Sequence, residues 1–337
     1  MRVAILGAGR MGRRHVLVAQ QIGLDIVAVA DPFADARALA AMECSLPDAV
    51  LMSDATEAIT ATHAECVIVA TTAPSHADLT IRAAEAGAKF IFCEKPMAVS
   101  LAECDRMLAA CRASGARLAI NHQMRFMEQY TQPKALLESE LLGGLTSISV
   151  ITGNFGLAMN GTHYIEMFRF MTGEVAEAVN AWFSAEAVLN PRGAQFEDRA
   201  GCVRVVTASG KRFYLDSAAD QGHGLTVVYG GRYGQIYVDE LAGMMRVTAR
   251  NAEHRALPTT RYGMPWADQT TQIAPADVLA PTKAVLSALL AGENYPTGED
   301  GRQAVAALVA SYVSAESDGR AVRVDGNLPS DRTFSWA

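Results

Sequence analysis

Residues 3–12 read VAILGAGRMG, a short apolar run followed directly by three glycines in the spacing G-x-G-x-x-G. This pattern predicts a β-strand, a tight turn and the start of a helix. Gly7 would permit the turn, Gly9 would let the backbone approach a pyrophosphate, and Gly12 would let the helix pack closely on the strand. Free N–H groups at the helix N-terminus would face the phosphates. We predict a dinucleotide site formed by Gly7, Gly9, Arg10, Met11 and Gly12. The alternative is a glycine turn that binds no ligand.

An acidic residue, Asp31, follows about 20 residues after the glycines, at the end of a second strand candidate over residues 26–30. Its carboxylate can accept hydrogen bonds from both hydroxyls of an adenosine ribose, and it would repel a 2′-phosphate. We therefore predict NAD as the cofactor, while Arg37 keeps NADP open. The other interpretation is an aspartate that caps a helix or a turn before Pro32.

The pattern outward from the glycine loop alternates between short β-rich runs and helical segments through residue 123, which is typical of a parallel sheet. The six strand candidates are residues 3–6, 26–30, 50–52, 66–70, 90–93 and 118–120. Helices are predicted over residues 11–22, 76–86 and 101–113, the last with Ser100 as N-cap and Glu103 completing a capping box. Residues 1–123 are thus predicted to form an N-terminal Rossmann domain, with a doubly wound parallel sheet, that binds NAD.

The pattern changes after Phe126, where strand candidates follow one another with few helices between them. A helix over residues 131–142, with Pro133 in its first turn, is followed by strands at residues 146–152, 179–187, 202–207, 212–217, 226–229, 235–238 and 244–248. Such runs indicate a mostly antiparallel sheet. Residues 124–337 are predicted to form a second, α+β domain for substrate binding and oligomerisation. Its C-terminal helices, at residues 281–290 and 301–315, would pack back on the body. The fold class is therefore α/β.

Composition narrows the function classes. Half of the 337 residues are hydrophobic and 19% are charged, which is typical of a globular protein. The formal net charge of -7 argues against a nucleic-acid partner. No run of about 18 apolar residues predicts a membrane span, and the N-terminus has no signal-peptide pattern. The six cysteines are irregularly spaced, so we interpret them as reduced thiols rather than metal ligands. We expect a cytoplasmic protein without a bound metal.

Two further motifs carry a family resemblance. Residues 93–96 read CEKP directly after the fifth strand candidate, and residues 161–166 read GTHYIE in the second domain. Together with the glycine loop, they resemble the Gfo/Idh/MocA oxidoreductases, and the match runs nearly end to end. The resemblance implies a Rossmann domain joined to an open-faced sheet domain, and oxidation or reduction of sugars and polyols.

The resemblance also implies two catalytic residues. Lys95 would be the general acid/base beside the nicotinamide, with Pro96 fixing the turn that aims it. Ligands bind at the carboxyl ends of strands in such sheets, and a lysine near a cationic nicotinamide ring should have a lowered pKa. His163 falls where the family has its second catalytic histidine, and it could relay the substrate proton. The alternatives are a solvated turn lysine and a histidine that is packed in a helix.

One position departs from the family pattern. The family commonly carries aspartate four residues before the histidine, and here that residue is Met159. A methionine cannot orient an imidazole by accepting its N–H. Three possibilities follow: Asn160 or Glu166 substitutes, Lys95 and His163 act alone, or the site has lost its usual reaction.

Further contacts are predicted from position in the pattern. Other cofactor contacts are expected at Thr71, Thr72, His76, Glu94, Lys95 and Gln123, which follow strands of the Rossmann sheet. Substrate contacts are expected at Lys95, Asn160, His163, Arg192 and Tyr233.

The predicted function is hydride transfer between NAD(P) and a secondary alcohol of a sugar, polyol or sugar derivative. Two alternatives stay open: an NAD-dependent glycoside hydrolase of the same fold, and a non-catalytic NAD-sensing regulatory protein. The predicted partners are a small-molecule sugar or polyol and a second copy of the chain. An open sheet needs its bare face covered, so we expect a homodimer or homotetramer.

Overall fold

The computed structural model describes residues 1–186, 190–222, 224–258 and 265–337. Its first sheet has six parallel strands in the order β3-β2-β1-β4-β5-β6. The strands are β1 (Arg2–Leu6), β2 (Asp25–Ala30), β3 (Leu51–Met52), β4 (Cys66–Val69), β5 (Phe90–Cys93) and β6 (Arg117–Ile120). The helices between them are α1 (Arg10–Gln21), α2 (Ala34–Cys44), α3 (Ala55–Thr62), α4 (His76–Glu85) and α5 (Leu101–Ser114). The predicted Rossmann sheet is confirmed, and its strand order reverses between β1 and β4, where such folds bind ligands.

Both faces of this sheet are covered, which explains its nearly continuous apolar strands. In β1, Ala4 and Leu6 face one hydrophobic cluster, while Val3 and Ile5 face the other. Helix α8 (Leu279–Ala291) from the far end of the chain packs on the second cluster through its buried side chains Val285, Leu286 and Leu289.

The second sheet has nine strands in the order β14-β13-β12-β11-β7-β10-β9-β8-β15. Its strands are β7 (Leu145–Gly153), β8 (Ala178–Phe183), β9 (Gly201–Val206), β10 (Arg212–Ala218), β11 (Leu225–Gly231), β12 (Gly234–Asp239), β13 (Met244–Arg250), β14 (Trp266–Gln272) and β15 (Val322–Arg323). All neighbouring strands are antiparallel except β7 and β10. The mostly antiparallel second sheet is therefore confirmed. Helices α6 (Glu128–Glu138), α7 (Thr162–Thr172) and α9 (Gly298–Ala315) complete this part of the chain.

Helix α6 differs from its prediction. It begins at Glu128 rather than at residue 131, so Pro133 lies inside the helix and not in its first turn. Proline lacks the N–H that would bond to the Gln129 carbonyl one turn earlier. The Tyr229 hydroxyl donates to that carbonyl at 3.2 Å. Because an outside donor satisfies the carbonyl, the helix can pass through the proline.

Other boundaries were harder to predict. Strand β8 ends at Phe183, earlier than the predicted strand over residues 179–187, whose last residue lies outside the described part. Ser100 caps α5 as predicted, because its hydroxyl accepts from the Glu103 N–H. The Glu103 carboxylate accepts from the Val99 N–H and not from the Ser100 N–H that a capping box requires, so the box is a variant of the predicted one. No helix among the described residues is long and apolar enough to cross a membrane.

Candidate active site

The glycine loop fits the role predicted for each glycine. Gly7 has a φ of +98°, and a Cβ there would lie 2.7 Å from the Ala70 carbonyl oxygen. A Cβ on Gly12 would lie 1.8 Å from the Gly7 carbonyl oxygen, so only glycine allows the helix to start this close to the turn. At Gly9 a Cβ would meet nothing within 4 Å. Gly9 and Arg10 are both exposed, so the loop presents open space and a cation at the N-terminus of α1. This geometry suits a bound diphosphate.

Asp31 lies against the same loop. Its Oδ2 accepts a hydrogen bond from the Ala8 N–H at 2.8 Å, and its Oδ1 accepts from the Phe33 N–H at 2.9 Å. The bond from the Phe33 N–H is the turn interaction that was the alternative interpretation of Asp31. Arg37 donates to the Asp31 backbone carbonyl at 2.6 Å, which places a guanidinium beside this residue. Asp31 is only partly buried and stays within reach of a ligand.

The side chain of Glu94 forms a buried network between the first helix and the sheet. Its Oε1 lies 2.8 Å from His15 Nε2 and accepts a hydrogen bond from Asn121 Nδ2 at 2.8 Å. Burial would raise the pKa of Glu94, but the bond to His15 and the nearby positive charges outweigh it and hold this pKa at about 2. Glu94 is thus an ionised carboxylate that ties α1 to the turn before Lys95.

Lys95 lies at the carboxyl end of β5 in the first sheet. It is 8% exposed, and its Nζ donates a hydrogen bond to the backbone carbonyl of Met159 in the turn before α7. Burial lowers the pKa of Lys95 to about 8, although the Glu94 carboxylate opposes this shift. The positive charge of Arg192 adds to this lowering. The lowered lysine pKa expected from sequence is therefore present, with burial as its first cause.

His163 lies at the start of α7, beside Lys95. It is buried, and burial followed by the positive charge of Lys95 lowers its pKa well below the ordinary value. The ring of His122, which follows β6, contacts it edge to face with centroids 5.5 Å apart. Burial, with Arg125 and Lys95, also lowers the pKa of His122 well below the ordinary value. Both imidazoles are neutral at pH 7.

Neither residue suggested as a substitute for the missing aspartate contacts His163. Two guanidinium groups bind the buried Glu166 carboxylate. Glu166 forms an ion pair with Arg125, and Glu166 Oε1 accepts a hydrogen bond from Arg169 Nη2 at 3.1 Å. The Asn160 side chain donates to the Phe155 carbonyl at 2.6 Å. Within the described residues, His163 Nδ1 has no hydrogen-bond partner. The suggestion that Glu166 or Asn160 orients this imidazole is therefore wrong.

Other predicted contacts lie near the loop of residues 71–76. Thr71 and Thr72 follow β4, and the Thr71 hydroxyl accepts a hydrogen bond from Ser75 at 2.7 Å. The His76 ring lies 2.9 Å from the Pro96 carbonyl and 3.2 Å from the Thr71 carbonyl, so it clamps the two loops together. Gln123 is buried after β6, and its Oε1 is unpaired among the described residues. Their contacts with a cofactor stay predictions.

Tyr233 is not part of this site. It lies in the turn between β11 and β12, and β11 pairs with β7 so that this turn is at the Leu145 end of β7. The segment that leads to His163 leaves the opposite end of β7, at Gly153. Nine residues of strand separate the two ends by roughly 30 Å. The Tyr233 ring packs against Arg255, 4.7 Å from its centroid. The structure therefore does not bring Tyr233 together with Lys95 and His163.

Four residues near the site were not predicted: His15, Asn121, His122 and Asp198. Asn121 and His122 follow β6 directly, and their position at the carboxyl end of a strand was a usable signal. His15 is three residues past the last glycine, on the buried face of α1. Asp198 lies on a loop before β9, and nothing local distinguishes it from other loop carboxylates. Its carboxylate accepts hydrogen bonds from the Ala158 and Met159 N–H groups, both at 2.7 Å.

Comparisons with known proteins agree with this architecture. Residues 1–122 match the model of the Gfo/Idh/MocA oxidoreductase family, described as an NAD-binding Rossmann fold. D-apiose dehydrogenase of Paraburkholderia graminis is 28% identical over 349 residues, covering 95% of this chain and 89% of that protein. An inositol 2-dehydrogenase of Salmonella typhimurium is 33% identical over 146 residues, covering 42% of this chain and 43% of that protein. The structure of an oxidoreductase from Agrobacterium radiobacter in complex with NAD+, L-tartaric acid and magnesium has a TM-score of 0.80 at 19% identity, covering 96% of this chain and 98% of that chain.

Proposed function

The chain belongs to the Gfo/Idh/MocA oxidoreductase family, and on that premise we propose that it is a dehydrogenase with Lys95 as its general acid/base. Its reaction moves a hydride between NAD(P) and a secondary alcohol of a sugar, polyol or sugar derivative. The observation that carries the assignment is the placement of Lys95: a buried ammonium group at the carboxyl end of β5, with a pKa of about 8. Such a group exchanges protons near neutral pH.

The chain's own residues fit the cofactor. The open space at Gly9 and the N-terminus of α1 would hold the diphosphate, and Asp31 would accept hydrogen bonds from the adenosine ribose. The Asp31 carboxylate favours NAD over NADP because it repels a 2′-phosphate, although Arg37 lies beside the same residue. When bound, the nicotinamide supplies or accepts the hydride.

The proton chemistry belongs to Lys95. In the direction of oxidation, neutral Lys95 Nζ takes the hydroxyl proton while the carbinol carbon loses its hydride, and a ketone forms. In reduction the Lys95 ammonium returns that proton to the alkoxide oxygen. His163 is neutral and buried next to Lys95, so it can share a hydrogen bond with the same hydroxyl without adding a competing positive charge.

The names of the relatives support the substrate class. D-apiose and inositol, the substrates in the names of two relatives, are both polyhydroxylated compounds, as in the substrate class proposed here. The cation of Arg192, whose charge lowers the pKa of Lys95, can bind an oxygen-rich substrate.

The test is a panel of free sugars, cyclitols and sugar acids, each assayed for NADH and NADPH formation with the wild-type protein. With the best substrate, Lys95→Ala should lower kcat by about 100-fold or more because the general acid/base is lost. Lys89→Ala is the matched control, since Lys89 is an exposed lysine just before β5 and should leave kcat unchanged. Near-normal turnover by Lys95→Ala would refute the assignment, and a loss confined to KM would make Lys95 a substrate-binding cation.

A further inference from the structure

The Asp198 carboxylate occupies a built position at the edge of the active site. It accepts the N–H groups of Ala158 and Met159, both at 2.7 Å, at the start of the π-helical turn that leads into α7. The neighbouring residue, Gly156, leaves the room for it. A Cβ at Gly156 would lie 2.1 Å from Asp198 Oδ2. The absence of a side chain at Gly156 therefore leaves room for the Asp198 carboxylate beside the two backbone N–H groups that donate to it.

The loop that carries Asp198 is fixed on both sides. The Glu197 N–H donates to the Ser335 carbonyl at 2.8 Å, so the C-terminal segment holds the loop from one side. The Arg199 carbonyl accepts from the Leu157 N–H at 2.9 Å, and the Arg199 N–H donates to the Tyr312 hydroxyl at 3.3 Å. With both neighbours bonded, Asp198 has little freedom to leave the site.

A single residue connects Asp198 to Lys95. The Met159 N–H bonds to the Asp198 carboxylate, and the Met159 carbonyl accepts from Lys95 Nζ. The two side chains also interact through their charges. The Asp198 carboxylate raises the pKa of Lys95, and the Lys95 ammonium lowers that of Asp198, each against a larger effect of burial.

We propose that Asp198 is a positioning residue for Lys95. Its carboxylate fixes the backbone at Met159 through the N–H of that residue, while the Met159 carbonyl, in the next peptide group, accepts from the ammonium group. Its negative charge favours the protonated form of the lysine. This inference rests on the proposed function only in taking Lys95 as the proton-transfer group. The competing explanation is a purely structural cap for the turn at residues 157–161.

Several other charged groups surround this pair. Glu94 favours the protonated form of Lys95, whereas Arg192 and Arg10 oppose it. His122 and His163 also lie on the lysine side, and both are neutral because burial lowers their pKa values. On its other side, Asp198 faces the Tyr312 hydroxyl, whose pKa is raised by burial first and then by this carboxylate. The role of Asp198 must therefore be measured on Lys95 itself.

The first experiment titrates Lys95 in the cofactor-free protein by competitive labelling with trace acetic anhydride, followed by peptide mass spectrometry. We expect the labelling midpoint of wild-type Lys95 near pH 8. In Asp198→Asn, which retains an acceptor oxygen but loses the charge, the midpoint should move lower by about one pH unit. Glu197→Gln is the matched control, because Glu197 is an exposed carboxylate on the same loop and should leave the midpoint in place. An unchanged midpoint in folded Asp198→Asn would reduce Asp198 to a cap.

A second experiment measures the same coupling from the other side and does not require Asp198→Asn to fold. Electrostatic coupling is reciprocal, so Lys95→Met should raise the pKa of Asp198 above about 6. The titration of the Asp198 carboxyl carbon can be followed by 13C NMR in protein labelled at aspartate. An Asp198 titration identical in wild type and Lys95→Met would overturn the proposal.

The outcomes separate this inference from the proposed function. Both titrations are made without substrate or cofactor, so they report the Lys95–Asp198 coupling even if Lys95 proves to have no role in catalysis. If Lys95→Ala abolishes turnover while the titrations show no coupling, the function stands and the inference fails. If the coupling is present and turnover tracks it, the acidic limb of the kcat/KM profile for alcohol oxidation in Asp198→Asn should move to lower pH by the same amount as the Lys95 midpoint.

Discussion

The Asp31 carboxylate accepts a hydrogen bond from the Ala8 backbone N–H at 2.8 Å, across 23 positions of sequence. This bond ties the end of β2 to the glycine loop at the end of β1. It places a negative charge beside the open space at Gly9. Any dinucleotide held by the loop would therefore bring its adenosine ribose towards this carboxylate.

Cofactor choice follows from that charge. We expect kcat/KM to favour NAD over NADP in the wild-type protein, and Asp31→Ser to narrow the gap by removing the repulsion of a 2′-phosphate. Asp25→Ser is the control, because Asp25 begins the same strand at its opposite, exposed end. Kinetics with both cofactors at several concentrations measure the ratio. A wild-type preference for NADP would contradict this role of Asp31.

The pH profile should reflect Lys95. Because the neutral amine accepts the proton, alcohol oxidation should rise tenfold per pH unit below about pH 8 and level off above it, with the opposite dependence for ketone reduction. The same group affects stability. Its folded-state pKa lies below its ordinary value of 10.5, so the unfolded chain binds more protons between about pH 8 and 10.5 and stability gains from Lys95 as pH rises through that window. Rate–pH profiles of kcat/KM in both directions test the first statement, because this ratio reports the pKa of the free enzyme, and profiles that do not change between pH 6 and 9 would contradict it.

A third prediction concerns the buried pair of His15 and Glu94. His15→Ala removes one of the two side-chain partners of Glu94 Oε1 and leaves a buried carboxylate underbonded, so the free energy of unfolding should fall by about 3 kcal/mol at pH 7. The pKa of Glu94, about 2 in the folded protein, is below its ordinary value of 4.5. Its contribution to stability is therefore present above about pH 4.5 and lost as the pH falls towards 2.

Urea denaturation of His15→Ala measures this loss. The control is Asp78→Ala, which breaks an exposed ion pair with Arg82 and should leave the free energy of unfolding nearly unchanged, because water screens the two charges. If both variants lose the same small amount, Glu94 does not depend on His15. If kcat is also lowered in His15→Ala, the pair of His15 and Glu94 also positions the turn before Lys95.

The parts that could be predicted from sequence depend on local pattern. The glycine loop has a fixed spacing, and β1, β4 and β5 are short apolar runs bounded by polar residues, so their type was clear. Strand β14 could not be predicted because nearly all of its residues are exposed and no apolar alternation marks it. Helices α2 and α3 were not assigned from the sequence: α3 has only eight residues, and α2 buries only Ala40 and Cys44.

The active site was predictable only in part, because its contacts span long stretches of chain. Lys95 was identified from the motif around it, but its bond to the Met159 carbonyl crosses 64 positions. Glu166 shows the converse error. Its spacing from His163 places both on one helical face, yet Arg125, 41 positions earlier, takes its carboxylate. Spacing along one helix cannot reveal which distant side chain will compete for a group.

The last prediction concerns assembly through the outer face of the second sheet. Trp182, Cys202, Asp216 and Ile151 lie in one row across β8, β9, β10 and β7. Trp182 and Ile151 are 53% and 52% exposed, although both are large and hydrophobic. Trp266 on β14 is 60% exposed. An apolar area of this kind on a sheet favours pairing with a second copy.

We therefore expect the wild-type protein to sediment as a dimer or tetramer at micromolar concentration. Ile151→Asp should dissociate it, because the new carboxylate would lie beside Asp216 within a desolvated interface. The substitution is at a solvent-facing position of the single chain, so the monomer should stay folded by circular dichroism. Met42→Asp, at a 72% exposed position on α2, is the matched control and should leave the sedimentation coefficient unchanged. A wild-type monomer would contradict the prediction, and an Ile151→Asp oligomer would place the interface on another surface.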